Sequence, residues 1–152
     1  MAYKYSYDHE EKEMARAKLP TNRSMWKFVI LHFLTLGIYG IIFFIPFTFD
    51  LEKIHPQYSK TKPMNYLWAF VLSLLTFSIV IFIWHYQTAE WVSDALKKRE
   101  IEYEFGTEDF WKWFFLGSFI FVGVFVYYFK LCKAMNLLCD HYNDHPIISD
   151  KQ

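Results

Sequence analysis

Three apolar runs dominate this chain: Phe28–Phe49, Tyr66–Tyr86 and Phe110–Phe129. Each is about 20 residues long, so as a helix it would extend about 25–33 Å, the thickness of a bilayer's hydrocarbon core. The stretch "LWAFVLSLLTFSIVIFIW" (67–84) has only two serines and a threonine as small polar residues. A soluble helix of that length shows a narrower apolar stripe, with polar residues every few positions. The runs therefore predict membrane embedding rather than a buried soluble core. The charges gather outside them, in the N-terminal 25 residues, around 50–63, across 90–112 and beyond 130. His32, Asp109 and Lys112 are the main exceptions, inside or at the edge of a run.

A chain of 152 residues is expected to form one domain. Its formal net charge of zero gives no reason to expect a nucleic-acid partner. Residues 1–24 form a polar tail of mixed sign with no apolar core, unlike a cleavable signal peptide. The six tryptophans fall near the edges of the runs, as an aromatic belt at a membrane interface would. Cys132 and Cys139 are seven apart; on one helix they would be separated by about 10 Å along the axis, too far to bridge. They read as reduced thiols.

The segment "LTLGIYGIIFF" (34–44) places Gly37 and Gly40 around Tyr39 in the most apolar part of the chain. Glycine weakens helices, and backbone groups freed inside lipid must find partners within the protein. Thr35 can lend its hydroxyl to a loosened carbonyl. The small residues also allow close helix approach. Pro46 removes a further helical hydrogen bond. The first segment, about Met25–Ile54 with Thr21 or Ser24 as its cap, is therefore expected to bend or break. A similar segment follows 41 residues later, with Thr76 and Ser78 in corresponding positions. Ser118 extends that register, Gly123 matches Gly40, and Tyr128 matches Tyr86. Each run leads into a polar helical tail: "FDLEKI", "AEWVSDALKKRE" and "KLCKAMNLLCDHYN". The second segment is expected to run to about Tyr103 and to be separated from the third at Gly106, with Thr107 as the next cap. Such self-similarity predicts three repeated units, about 25–58, 64–104 and 107–143, followed by a C-terminal tail 144–152.

Two geometries satisfy these features. In one, kinked helices cross the bilayer; in the other, the glycine pair makes a re-entrant hairpin with two short arms. A continuous span is simpler for the second unit, so three kinked spans are the expectation. Positive-inside counting then puts the N-terminus in the cytoplasm and the C-terminus outside. The hairpin would keep every tail in the cytoplasm.

"VILHFLTLGIYGIIFFIPFTFDLEKI" resembles the repeat of a bacterial family of unknown function, domain of unknown function 4234. "YYFKLCKAMNLL" resembles its last unit, where a Lys and an Asn follow a Tyr pair. The resemblance covers roughly residues 25–143, with the full motif only in the first unit. It implies an integral membrane protein of the bacterial cytoplasmic membrane and no assigned activity.

Candidate chemistry is sparse. Cys139, His141 and His145 are soft donors, but their spacing matches no common zinc pattern, and a surface helix end explains them. His32 and His85 are ionisable groups in apolar runs, which can mark a proton or ion pathway or simply bond a neighbouring helix. There is no phosphate loop, nucleophile elbow or paired intramembrane carboxylate. The sequence thus predicts an all-α, multi-pass membrane protein without cofactor or catalytic activity. Its expected role is a scaffold, accessory or immunity-type subunit that binds lipids or another membrane protein, with Thr35, Gly37, Tyr39, Gly40, Pro46, Thr76, Ser78, Ser118 and Gly123 shaping its helices. The alternative is an oligomeric channel or transporter component, lined by His32, His85, Thr35, Thr76 and Ser78.

Overall fold

In the computed structural model, residues 18–55 and 62–145 are described, and the fold is all-α. Helix α1 is Met25–Leu34, α2 is Ile38–Ile54, α3 is Tyr66–Leu75 and α4 is Ile79–Lys98. A short turn, α5 (Thr107–Asp109), runs on into π-helical Phe110–Phe115 and 3₁₀ Leu116–Ile120. Helix α6 is Val122–Asp144. A short arm, a break and a longer helix thus occur three times over.

Each break reverses the chain. Phe28 of α1 has its ring 4.8 Å from Phe43 of α2. Tyr66 of α3 stacks edge-on at 4.8 Å from Trp84 of α4, whose Nε1 donates to the Met64 carbonyl. Asp109 pairs with Lys130 across the third hairpin. The tips are therefore near Leu36, Phe77 and Phe121.

The sequence chemistry at the tips explains the reversals. Leu36 and Gly37 have φ of 49° and 95°, and Phe77 and Ser78 have 48° and 69°. These left-handed residues allow Gly37 N to donate to the His32 carbonyl and Ser78 N to the Ser73 carbonyl, both at 2.8 Å. Such bonds close a helix C-terminus and turn the chain away. Phe121, φ 61°, makes the third break. Outside glycine, each such residue costs about 1–2 kcal/mol, so packing between the arms must hold the turns.

The long helices α2, α4 and α6 run parallel. Phe44, His85 and Tyr128, each six residues into its helix, form one aromatic layer. The Phe44 ring lies 5.3 Å from His85, and His85 lies 5.5 Å from Tyr128. Beyond this layer the C-terminal halves bury Leu51, Ile54, Val92, Leu96, Leu131, Met135 and Leu138 completely or nearly so. The core therefore sits at the end where the helices finish, and all three tips point away from it.

Several expectations are corrected here. Three kinked spans do not form, because the first two apolar runs turn back at their midpoints and leave arms of only 10 residues, α1 and α3. Only α6 is long and apolar enough to cross a membrane among the described residues. Pro46 does not break α2; it sits exposed inside the helix, and the break is at Thr35–Gly37. Ser24 takes the N-cap position but makes no side-chain capping bond. Helix α4 stops at Lys98 instead of near Tyr103, and Gly106 rather than Thr107 precedes the next helical turn. Trp84 and Trp91 are 1% exposed core residues, leaving four tryptophans for a belt. The expectations for residues 1–17, 56–61 and 146–152 lie outside the described residues.

Candidate functional site

The candidate site is the division of the molecule into an apolar tip and a polar base. At the tips the largest apolar residues face outward: Leu36 is 93% exposed, Phe77 96% and Phe121 81%. Phe33, Leu34, Leu74, Leu75, Phe119 and Ile120 flank them and are also exposed. Exposed apolar surface on this scale, contiguous at one end, marks an interaction site.

The polar groups within the tips are satisfied locally. Thr35 Oγ1 donates to the Leu31 carbonyl at 2.7 Å and accepts from Tyr39 N at 2.9 Å. Thr76 Oγ1 donates to the Leu72 carbonyl at 2.9 Å and accepts from Val80 N at 3.4 Å. Each threonine thus closes one helix and caps the next. Ser118 Oγ donates to the Phe115 carbonyl at 2.6 Å. Ser78 supplies a left-handed backbone position.

Glycines make the close approaches. A β-carbon on Gly40 would come 3.1 Å from His32 Nδ1 and from the Tyr66 hydroxyl, so Gly40 makes room for both. Gly123 meets Gly117 and the Trp113 carbonyl, with no space for a methyl group. His32 borders a cleft of about 380 Å³ between the first and third hairpins, which Phe33, Phe125 and Tyr128 also line. His85 is buried, with its Nε2 3.2 Å from the Tyr128 hydroxyl, while Tyr127 Oη donates to the His85 carbonyl. His32 Nδ1 and His85 Nδ1 have no hydrogen-bond partner among the described residues. The structure brings His85 against Tyr127 and Tyr128, and separates both histidines from the base.

The polar base is fastened by two arginines. The Arg99 guanidinium donates to the Ile54 carbonyl at 3.0 Å and the His145 carbonyl at 3.1 Å, and lies 3.2 Å from His141 Nδ1. It also stacks on Tyr142. Positive charge at helix C-termini is favourable, and here one cation serves the ends of α2 and α6 from the end of α4. Burial pulls the guanidinium pKa down and the neighbouring Tyr142 phenol opposes that shift. Arg23 pairs with Asp50 and donates to Cys139 Sγ at 3.2 Å. Asn136 and Asn143 grip the entering segment, exchanging hydrogen bonds with the backbones of Arg23 and Leu19.

Sequence reasoning missed this base. Arg99 looks like one charge of "KKRE", and Arg23 like part of a polar tail; their partners are 45 and 27 residues away for Ile54 and Asp50. Two of the three soft-donor candidates already have side-chain partners. His141 faces Arg99, Cys139 accepts from Arg23, and no cluster of three or more metal-binding side chains occurs among the described residues. His141 and His145 rings lie 5.0 Å apart, centre to centre. Both cysteines are buried free thiols.

Helix α6 has the length and composition of a membrane-crossing helix. No curated protein and no solved structure matches this chain. The sequence match that does exist covers the first two hairpins and not the third. Residues 23–94 match the model of the family described as Domain of unknown function (DUF4234).

Proposed function

We propose that this is a monotopic membrane protein whose three hairpins enter a single leaflet side by side, while the base stays outside as a non-enzymatic scaffold for lipids or a membrane partner. One observation carries the reading: the exposed apolar residues collect at three tips on the same end, opposite the arginine-fastened base. The depth fits as well. A 10-residue arm such as α1 or α3 rises about 15 Å, half of a 30 Å hydrocarbon core. Trp26, Trp68, Trp111 and Trp113, all substantially exposed, stand at the start of the three short arms, where indole rings favour the interface. In α6 only Val122–Phe129 is free of charge before Lys130, which pairs with Asp109; this supports insertion to the same depth as the other arms.

The pore alternative draws no comparable support. Of the residues expected to line it, Thr35 and Thr76 spend their hydroxyls on their own backbone, so they offer little to an ion. The repeated-unit reading gains from the matching threonine bonds in the first two breaks.

Single cysteines at Lys18, Lys62, Glu100 and Asp144 in a background lacking Cys132 and Cys139 test the topology. An impermeant maleimide should reach all four from one face of sealed vesicles. Labelling of Lys62→Cys and Asp144→Cys from the face opposite Lys18→Cys would restore three spans and end the monotopic reading.

A further inference from the structure

Between the segment that enters the first hairpin and helix α6 lies a cleft of about 510 Å³. Its edge toward the tips is apolar, formed by Trp26 and Phe129, which are 65% and 53% exposed. Its edge toward the base is polar, formed by Thr21, Ser24, Lys133 and Asp140. Phe129 is eight residues past the Phe121 tip and Lys133 twelve. On a helix those distances are about 12 and 18 Å, straddling the 15 Å boundary of one leaflet.

Among the described residues, no hydrogen bond or ion pair engages the polar side chains of that edge. The Lys133 ammonium has no ion pair among the described residues; its neighbour is the Tyr103 ring, 5.2 Å away. Ser24 makes no capping bond with its side chain, and the Thr21 hydroxyl has no hydrogen bond among the described residues. Asp140 is exposed, two turns beyond Lys133, and likewise without an ion pair there. Arg23, in contrast, is committed to Asp50, Cys139 and the Pro20 carbonyl. The cleft thus offers, in order from the tips, an apolar lip, one cation near the Ser24 hydroxyl, and one anion near the Thr21 hydroxyl, since Arg23 is level with Asn136 and Leu19 with Asn143.

We infer that this cleft seats the headgroup of a zwitterionic glycerophospholipid bearing an ammonium. Its acyl chains would follow Trp26 and Phe129, its phosphate would meet Lys133 and Ser24, and its ammonium would turn toward Asp140. The assignment rests on the one-leaflet reading, which puts the cleft at headgroup depth. Asp140 disfavours a headgroup with a net negative charge.

Native mass spectrometry of the full chain, released from nanodiscs of phosphatidylethanolamine and phosphatidylglycerol, tests it. One phosphatidylethanolamine should stay bound in preference to phosphatidylglycerol. Lys133→Gln should cut its occupancy about tenfold, the loss of one charge-assisted hydrogen bond, and Lys133→Arg should restore most of it. Asp140→Asn should raise the share of phosphatidylglycerol. Equal retention by Lys133→Gln, or equal retention of diacylglycerol, would show that the apolar lip alone holds the lipid and would overturn the inference. Displacement by inorganic phosphate would assign the cleft to the free anion instead. Flotation with vesicles, read in parallel, keeps the two ideas apart: if the wild-type chain fails to float, the leaflet reading fails, whereas floating variants with altered lipid occupancy bear on the cleft only.

Discussion

Gly117 and Gly123 meet backbone to backbone across the third hairpin. Neither the 3₁₀ stretch nor the start of α6 could approach so closely with side chains between them. The contact draws the third short arm onto α6, where Phe114 packs at 5.0 Å from the Tyr127 ring.

Gly123→Ala should therefore open this hairpin. Overpacking a close contact costs about 1–3 kcal/mol, and the added methyl group has backbone on two sides. Thermal unfolding in mild detergent should show a clear fall in Tm. An unchanged Tm would mean that the arms close elsewhere.

Arg99→Lys should destabilise nearly as much as Arg99→Ala. A lysine ammonium cannot span the Ile54 carbonyl, the His145 carbonyl and His141 Nδ1 as the planar guanidinium does. Hydrogen bonds to a charged group contribute about 1.5–3 kcal/mol each when their partners are buried. Denaturant titration of the two variants, followed by circular dichroism, makes the comparison; a lysine variant at wild-type stability would refute the bridging role.

Asp50→Asn should cost about 3–5 kcal/mol, because it leaves the Arg23 guanidinium buried without its counter-charge. Replacing both partners, Arg23→Met with Asp50→Leu, should recover much of that loss. A double-mutant cycle measures the difference. Additive losses would show that the two side chains do not act as a pair.

Leu36→Asp and Phe77→Asp should leave the fold intact yet weaken membrane attachment. Both side chains are almost fully exposed, so the base loses nothing. Transferring each apolar side chain into lipid is worth about 1.5–3 kcal/mol, and an aspartate reverses the sign. Vesicle flotation should fall for each variant and more for the pair, with unchanged helical content. Wild-type flotation of the double variant would place the tips outside the lipid.

Much of this structure is readable from neighbouring residues. The limits of α1 and α2 fall where "MWKF" begins and "LEKI" ends, and the breaks occur at Thr35 and Thr76, where the hydroxyl chemistry is encoded. The turning angle is not encoded there. A helix opened at Thr-x-Gly can bend or reverse, and the reversal depends on Phe28 reaching Phe43 and Tyr66 reaching Trp84. Trp91 shows the same limit: its place near the end of an apolar run suits an interface, yet it is a 1% exposed core residue.

The sequence by itself determined that the chain is helical, where its apolar runs lie, and where each run is interrupted. Those properties depend on residues within a turn or two of each other, through hydrogen bonding and side-chain periodicity. Only the tertiary structure decided that the runs fold back, that the three tips share one end, and that Arg23 and Arg99 fasten the other. Hydrophobic attraction has no direction of its own. Direction comes from contacts between residues dozens of positions apart, such as Arg99 with Ile54 and Leu19 with Asn143.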